Sequence, residues 1–94
     1  MTYARSGFAA GVVKGQIIVV GGERVDIVPP QLIATAEVFA PGAEGWVAGP
    51  VSPIVVHGAT GAVVNDQLVL TAGSNEAGSL STNRATQILT FDTN

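Results

Sequence analysis

Displaced by 51 residues, the chain lies over itself. G-F-A-A-G-V-V-K-G-Q-I-I-V-V-G-G (7–22) falls on G-A-T-G-A-V-V-N-D-Q-L-V-L-T-A-G (58–73). Gly7 meets Gly58, Val12 and Val13 meet Val63 and Val64, Gln16 meets Gln67, and Gly22 meets Gly73. With one extra residue in the following loop, Phe39 falls on Phe91. A register that matches apolar runs, turn residues and glycines together defines the folding unit, because each repeat buries its apolar surface against its neighbour. Repeat 1 spans about 5–50 and repeat 2 about 56–94, within a single unit of 1–94.

Each repeat reads as β. The runs 8–13 and 17–22 flank Lys14-Gly15-Gln16, and 59–64 and 68–71 flank Asn65-Asp66-Gln67. Two-residue hairpin turns need positive φ at both positions, which Gly, Asn and Asp tolerate and Lys14 suits poorly. Apolar runs of this kind without strict alternation suggest strands covered on both faces. A third strand, 34–39, alternates Ala34, Ala36 and Val38 against Thr35, Glu37 and Phe39, and 85–91 echoes it. A fourth, 46–48, begins at Trp46, and the closely spaced Pro50 and Pro53 bar it from a central ladder position. Gly, Pro and β-branched residues interrupt every window long enough for a helix.

Composition narrows the function classes. Apolar residues make up 47% of the 94, and charged ones only 12%, against roughly a quarter in average soluble domains. No apolar stretch approaches the ~20 residues of a membrane helix. Net charge is −3 and the basic residues Arg5, Lys14, Arg24 and Arg84 are scattered, so no patch exists to displace counterions from nucleic acid. There is no cysteine, which removes disulfides, thiolate catalysis and thiolate metal sites together.

These pieces resemble the kelch repeat, one blade of a β-propeller. R-S-G-F-A-A is similar to that family's opening Arg-x-Gly segment, and I-I-V-V-G-G to its double-glycine strand end. E-V-F-A-P-G-A-E-G-W resembles its Glu-Val-aromatic-x-Pro stretch leading to a tryptophan. Repeat 2 is degraded: Val56 replaces the Arg, Ala72 the first Gly, and Thr93 stands where Pro41 stood. The resemblance implies an all-β fold of about two four-stranded antiparallel kelch-type blades, the second incomplete. It also places Gly21-Gly22 where loop and neighbouring blade crowd the backbone, with Ala72 marking only the second position as intolerant of a side chain in both copies. Seven strands cannot close a ring, and open faces of Ile, Val and Leu invite pairing with another chain. A homo-oligomer is therefore expected, a cyclic trimer of six blades before a tetramer of eight. A piece of a longer propeller and a small self-contained sandwich are the competing arrangements.

Catalytic constellations are thin. His57 is the only histidine, so no His-rich metal site fits one chain, and Tyr3 with His57 does not make the Tyr, His and Cys set of kelch-like copper oxidases. The serines fit turn chemistry, and the glycine-rich segments at 7–11 and 58–61 precede no helix that could cradle phosphate. Glu37 reads as a structural hydrogen-bonding residue, with Ile88 opposite it in repeat 2, and Trp46 as a packing anchor between blades. No catalytic, metal or cofactor residue is expected, and no cofactor.

By resemblance, the loops entering each first strand and the 23–33 and 74–84 loops line a recognition face. That face would collect Arg5, Ser6, Glu23, Arg24, His57, Asn75, Asn83 and Arg84, for a protein or carbohydrate ligand rather than nucleic acid or membrane. The expected role is a non-catalytic scaffold or recognition module. The alternative is a sugar-processing propeller enzyme resembling a sialic-acid mutarotase, which would have to draw on Arg5, Arg24, Arg84 and Glu23 or Glu76.

Overall fold

The computed structural model describes residues 1, 4–51, 55–74 and 86–90. These form nine strands and, among the described residues, no helix. In chain order they are β1 (Ala9–Val13), β2 (Gln16–Val20), β3 (Glu23–Arg24), β4 (Gln31–Leu32), β5 (Thr35–Phe39), β6 (Val47–Val51), β7 (Thr60–Val64), β8 (Gln67–Thr71) and β9 (Thr86–Thr90). Repeat 1 is a four-stranded antiparallel sheet ordered β1-β2-β5-β6, and repeat 2 a three-stranded sheet ordered β7-β8-β9. As the prolines require, β6 takes an edge, although it runs over 47–51 rather than the expected 46–48. A two-strand ladder, β3-β4, occupies the segment read as loop 23–33.

The 51-residue displacement is written into the backbone. Positive φ occurs at Gly7 and Gly58, Lys14 and Asn65, Gly15 and Asp66, Gly21 and Ala72, and Gly22 and Gly73. Each hairpin thus turns on two left-handed residues, the geometry that suits the right-handed twist of its strands. Past this point the register slips. Val19 pairs with Glu37 in repeat 1 while Leu70 pairs with Gln87 in repeat 2, so Glu37 and Phe39 have Gln87 and Leu89 as counterparts. The expected matches, Ile88 for Glu37 and Phe91 for Phe39, are corrected: the loop before β9 is shorter than the repeat by one residue, not longer. Phe91 itself lies outside the described residues.

Ladder partners point to the same face of a sheet, so the register tells which residues meet. One face of repeat 1 presents Ala9, Gly11, Val13, Ile18, Val20, Ala36 and Val38; repeat 2 answers with Gly61, Val63, Leu68, Leu70, Gln87 and Leu89. β1 packs directly on β7 and β8, and one apolar core runs across this joint from Ala9, Val13, Ile18, Val20 and Ala36 to Leu68, Leu70 and Leu89. Ile18, Leu68, Leu70, Val13 and Val20 are its largest fully buried side chains. Burying each of that kind contributes about 1.5–3 kcal/mol.

Close approach at the joint needs bare backbone. A Cβ on Gly11 would lie 2.7 Å from Val63 Cγ2 and 3.0 Å from Leu68 Cδ1, and one on Gly61 3.1 Å from Ala9 Cβ. Gly21 is more restricted still: its φ is +71° and an added Cβ would stand 2.5 Å from the Val56 carbonyl oxygen. The first glycine of the pair therefore matters as much as the second. Ala72, its counterpart in repeat 2, keeps the left-handed backbone at φ +63° and is exposed.

Candidate functional site

The loops entering β1 and β7 run side by side at one end of the joint. Ser6 and Glu23 exchange backbone hydrogen bonds of 3.0 and 2.9 Å; His57 and Ser74, at the equivalent positions of repeat 2, exchange bonds of 2.9 and 2.8 Å. Between these bridges Gly58 N–H donates to Gly7 C=O at 2.6 Å, and Gly22 N–H to Val56 C=O at 2.9 Å. The backbone alone thus fixes Ser6, Glu23, His57 and Ser74 across the two repeats.

Side chains tie the same row together. His57 Nδ1 lies 3.6 Å from Glu23 Oε1, and both groups are largely shielded, at 15% and 14% side-chain exposure. At that separation the contact is an ion pair rather than a hydrogen bond, and it operates when the imidazole is protonated. Arg24 forks onto Asp26 with bonds of 3.2 and 3.1 Å at the surface. The hydrogen bond from Arg24 holds the exposed Asp26 carboxyl below the usual carboxylate range. A depression of about 140 Å³ lies beside them, lined by Ala4, Arg5, Ser6, Glu23, Val25 and Asp26.

Arg5 does not present its charge on this face, and its expected place among surface recognition residues is corrected. Its side chain is fully buried. Nη1 donates to Gly21 C=O at 2.9 Å, while Nη2 donates to Thr35 C=O at 3.1 Å and to Glu37 Oε2 at 2.8 Å. A buried guanidinium needs a carboxylate and carbonyls to replace water, and repeat 1 supplies all three. Glu37, 3% exposed on its side chain, has the structural role expected of it.

The structure thus brings together Ser6, Glu23 and His57 of the expected set, whereas Arg24, the next residue on β3, pairs with Asp26 and lines a separate depression with Gln31, Leu32 and Thr35. Asn75, Asn83 and Arg84 lie outside the described residues. Asp26 was missed, although its opposite charge two residues after Arg24 was the signal. Trp46 meets Phe39 at a tilt, with ring centroids 5.3 Å apart and planes at 45°, an aromatic contact within repeat 1. Among the described residues, no group of three or more His, Asp or Glu could hold a metal ion.

A family model of the kelch motif matches residues 4–50, which run from the loop carrying Arg5 to the edge strand β6. A comparison with curated proteins gives no match.

Proposed function

Since the chain belongs to the kelch-repeat family, we propose that it serves as a non-catalytic propeller module, a scaffold or recognition unit, and that its copies assemble into a closed ring. Three copies give six blades. The observation that carries this reading is the internal joint: one sheet face buries Leu68, Leu70 and Leu89 of the next repeat, and the remaining two faces carry the counterparts of both sides of that joint. Those outer faces leave Val12 59%, Ile17 38%, Val64 52% and Ile88 60% exposed. Apolar faces of this kind are ordinarily covered, and a head-to-tail contact with rotational symmetry closes without leaving edges. The row of Ser6, Glu23 and His57, with the adjoining Arg24–Asp26 pair, supplies the recognition surface, its hydroxyl, carboxylate and guanidinium groups suited to a protein or carbohydrate ligand.

Cross-linking tests the assembly. Ala10 and Thr60 are the outer-face counterparts of Gly61 and Ala9, whose facing positions at the joint stand 3.1 Å apart, just short of the roughly 3.5–4.5 Å that a disulfide's Cβ atoms span, so a slightly wider seam admits the bridge. In a chain without native cysteine, Ala10→Cys with Thr60→Cys is expected to form intermolecular disulfides ending at a three-chain species on a non-reducing gel. Chains that stay single under oxidation would overturn the ring. Acceleration of sugar mutarotation by the purified chain would overturn the non-catalytic half of the proposal.

A further inference from the structure

The internal joint works because three contacts have no side chain on one partner. Repeat symmetry carries each contact to the outer faces, and there every one has gained a methyl. Gly21 against the Val56 carbonyl becomes Ala72 against the Arg5 carbonyl of the next copy. Gly11 against Val63 and Leu68 becomes Ala62 against Val12 and Ile17. Gly61 against Ala9 becomes Ala10 against Thr60. Reproducing the internal geometry would therefore set Cβ atoms at the 2.5, 2.7 and 3.1 Å separations that the glycines avoid.

The occupant is a second copy of the chain, the outer face of repeat 2 taking the outer face of repeat 1 of the next copy, because these surfaces continue the joint between the repeats. The joint's backbone bonds, Gly22 N–H to Val56 C=O and Gly58 N–H to Gly7 C=O, have outer counterparts in Gly73 N–H with Arg5 C=O and Gly7 N–H with Gly58 C=O. Donor again stands opposite acceptor, in the same polarity. Ala72 sits where it crowds the first of these pairs.

We infer that the seam between copies is a second kind of joint, held open by Ala10, Ala62 and Ala72. The ring then alternates tight joints within chains with weaker seams between them. This rests on the assembly proposed above. Restoring ordinary carbon contact at the crowded points widens the seam by on the order of 1 Å. The seam is accordingly where the assembly exchanges copies and where it dissociates first.

Sedimentation equilibrium of the full chain against Ala62→Gly with Ala72→Gly tests it. Relieving overpacked contacts is expected to lower the dissociation constant on the order of tenfold. Ala72→Gly alone provides a second variant that folds at least as well, since it removes a side chain from a left-handed residue (φ +63°). Association of the native chain with a constant that neither variant moves would overturn the inference and leave the ring standing. Association of the variants alone would support the methyl block and sink assembly of the native chain. No association of any form would overturn both.

Discussion

Arg5 and Glu37 meet at 2.8 Å with almost no water access, yet Arg5 Nε is buried without a hydrogen-bond partner among the described residues. Such a pair is costly to halve and cheap to replace whole. Repeat 2 provides the replacement, since its counterpart positions carry Val56 and Gln87, which are 3% and 6% exposed. Glu37→Gln alone is expected to cost about 3–5 kcal/mol in urea unfolding, leaving the guanidinium uncompensated. Arg5→Val with Glu37→Gln should recover part of that loss, because no buried charge is left unpaired although the Gly21 and Thr35 carbonyls lose their donor. A double variant as unstable as the single one would contradict the repeat equivalence. Two glycines make the companion test. Gly15 has φ +78° and open space where a Cβ would stand, so Gly15→Ala should cost only the left-handed penalty of about 1–2 kcal/mol. Gly21→Ala adds a collision with backbone to the same penalty, and its melting temperature should fall further.

At the scale of the elements, the hairpins were legible because their determinants are local. Runs of β-branched residues flank two turn residues, and both turns adopt the left-handed pair that the residues at 14–15 and 65–66 suggested. Lys14 is the misfit, at φ +50° where repeat 2 has Asn65 at the same value. Lys14→Asn is therefore expected to raise stability by a few tenths to about 1 kcal/mol in thermal unfolding, and a loss would argue against this turn geometry. What sequence reading missed depends on partners far along the chain. β3 and β4 are two residues each, too short for any periodicity, and exist as a ladder only because Glu23 and Arg24 pair with Leu32 and Gln31. The one-residue slip at β9 is invisible for a similar reason: aligning Phe39 with Phe91 satisfied residue type, whereas the ladder obeys the pairing of Val69 with Ile88. Arg5 was misplaced because a charge in a loop suggests water. Its burial required knowing that Glu37, 32 positions away, comes to the same spot.

The whole molecule is one joint with two unshared faces. Its repeat unit was readable from self-similarity, and its site only in part: Ser6, Glu23 and His57 converge through backbone bridges that follow from the repeat. The His57–Glu23 contact across repeats had no local signal. The faces give the account its central claim, that this pair of blades is completed by other copies of itself. Multi-angle light scattering on the purified chain, over a concentration series, is the direct measurement. The account predicts a species of three chain masses at the highest concentrations, breaking down on dilution; a single chain mass throughout would contradict it.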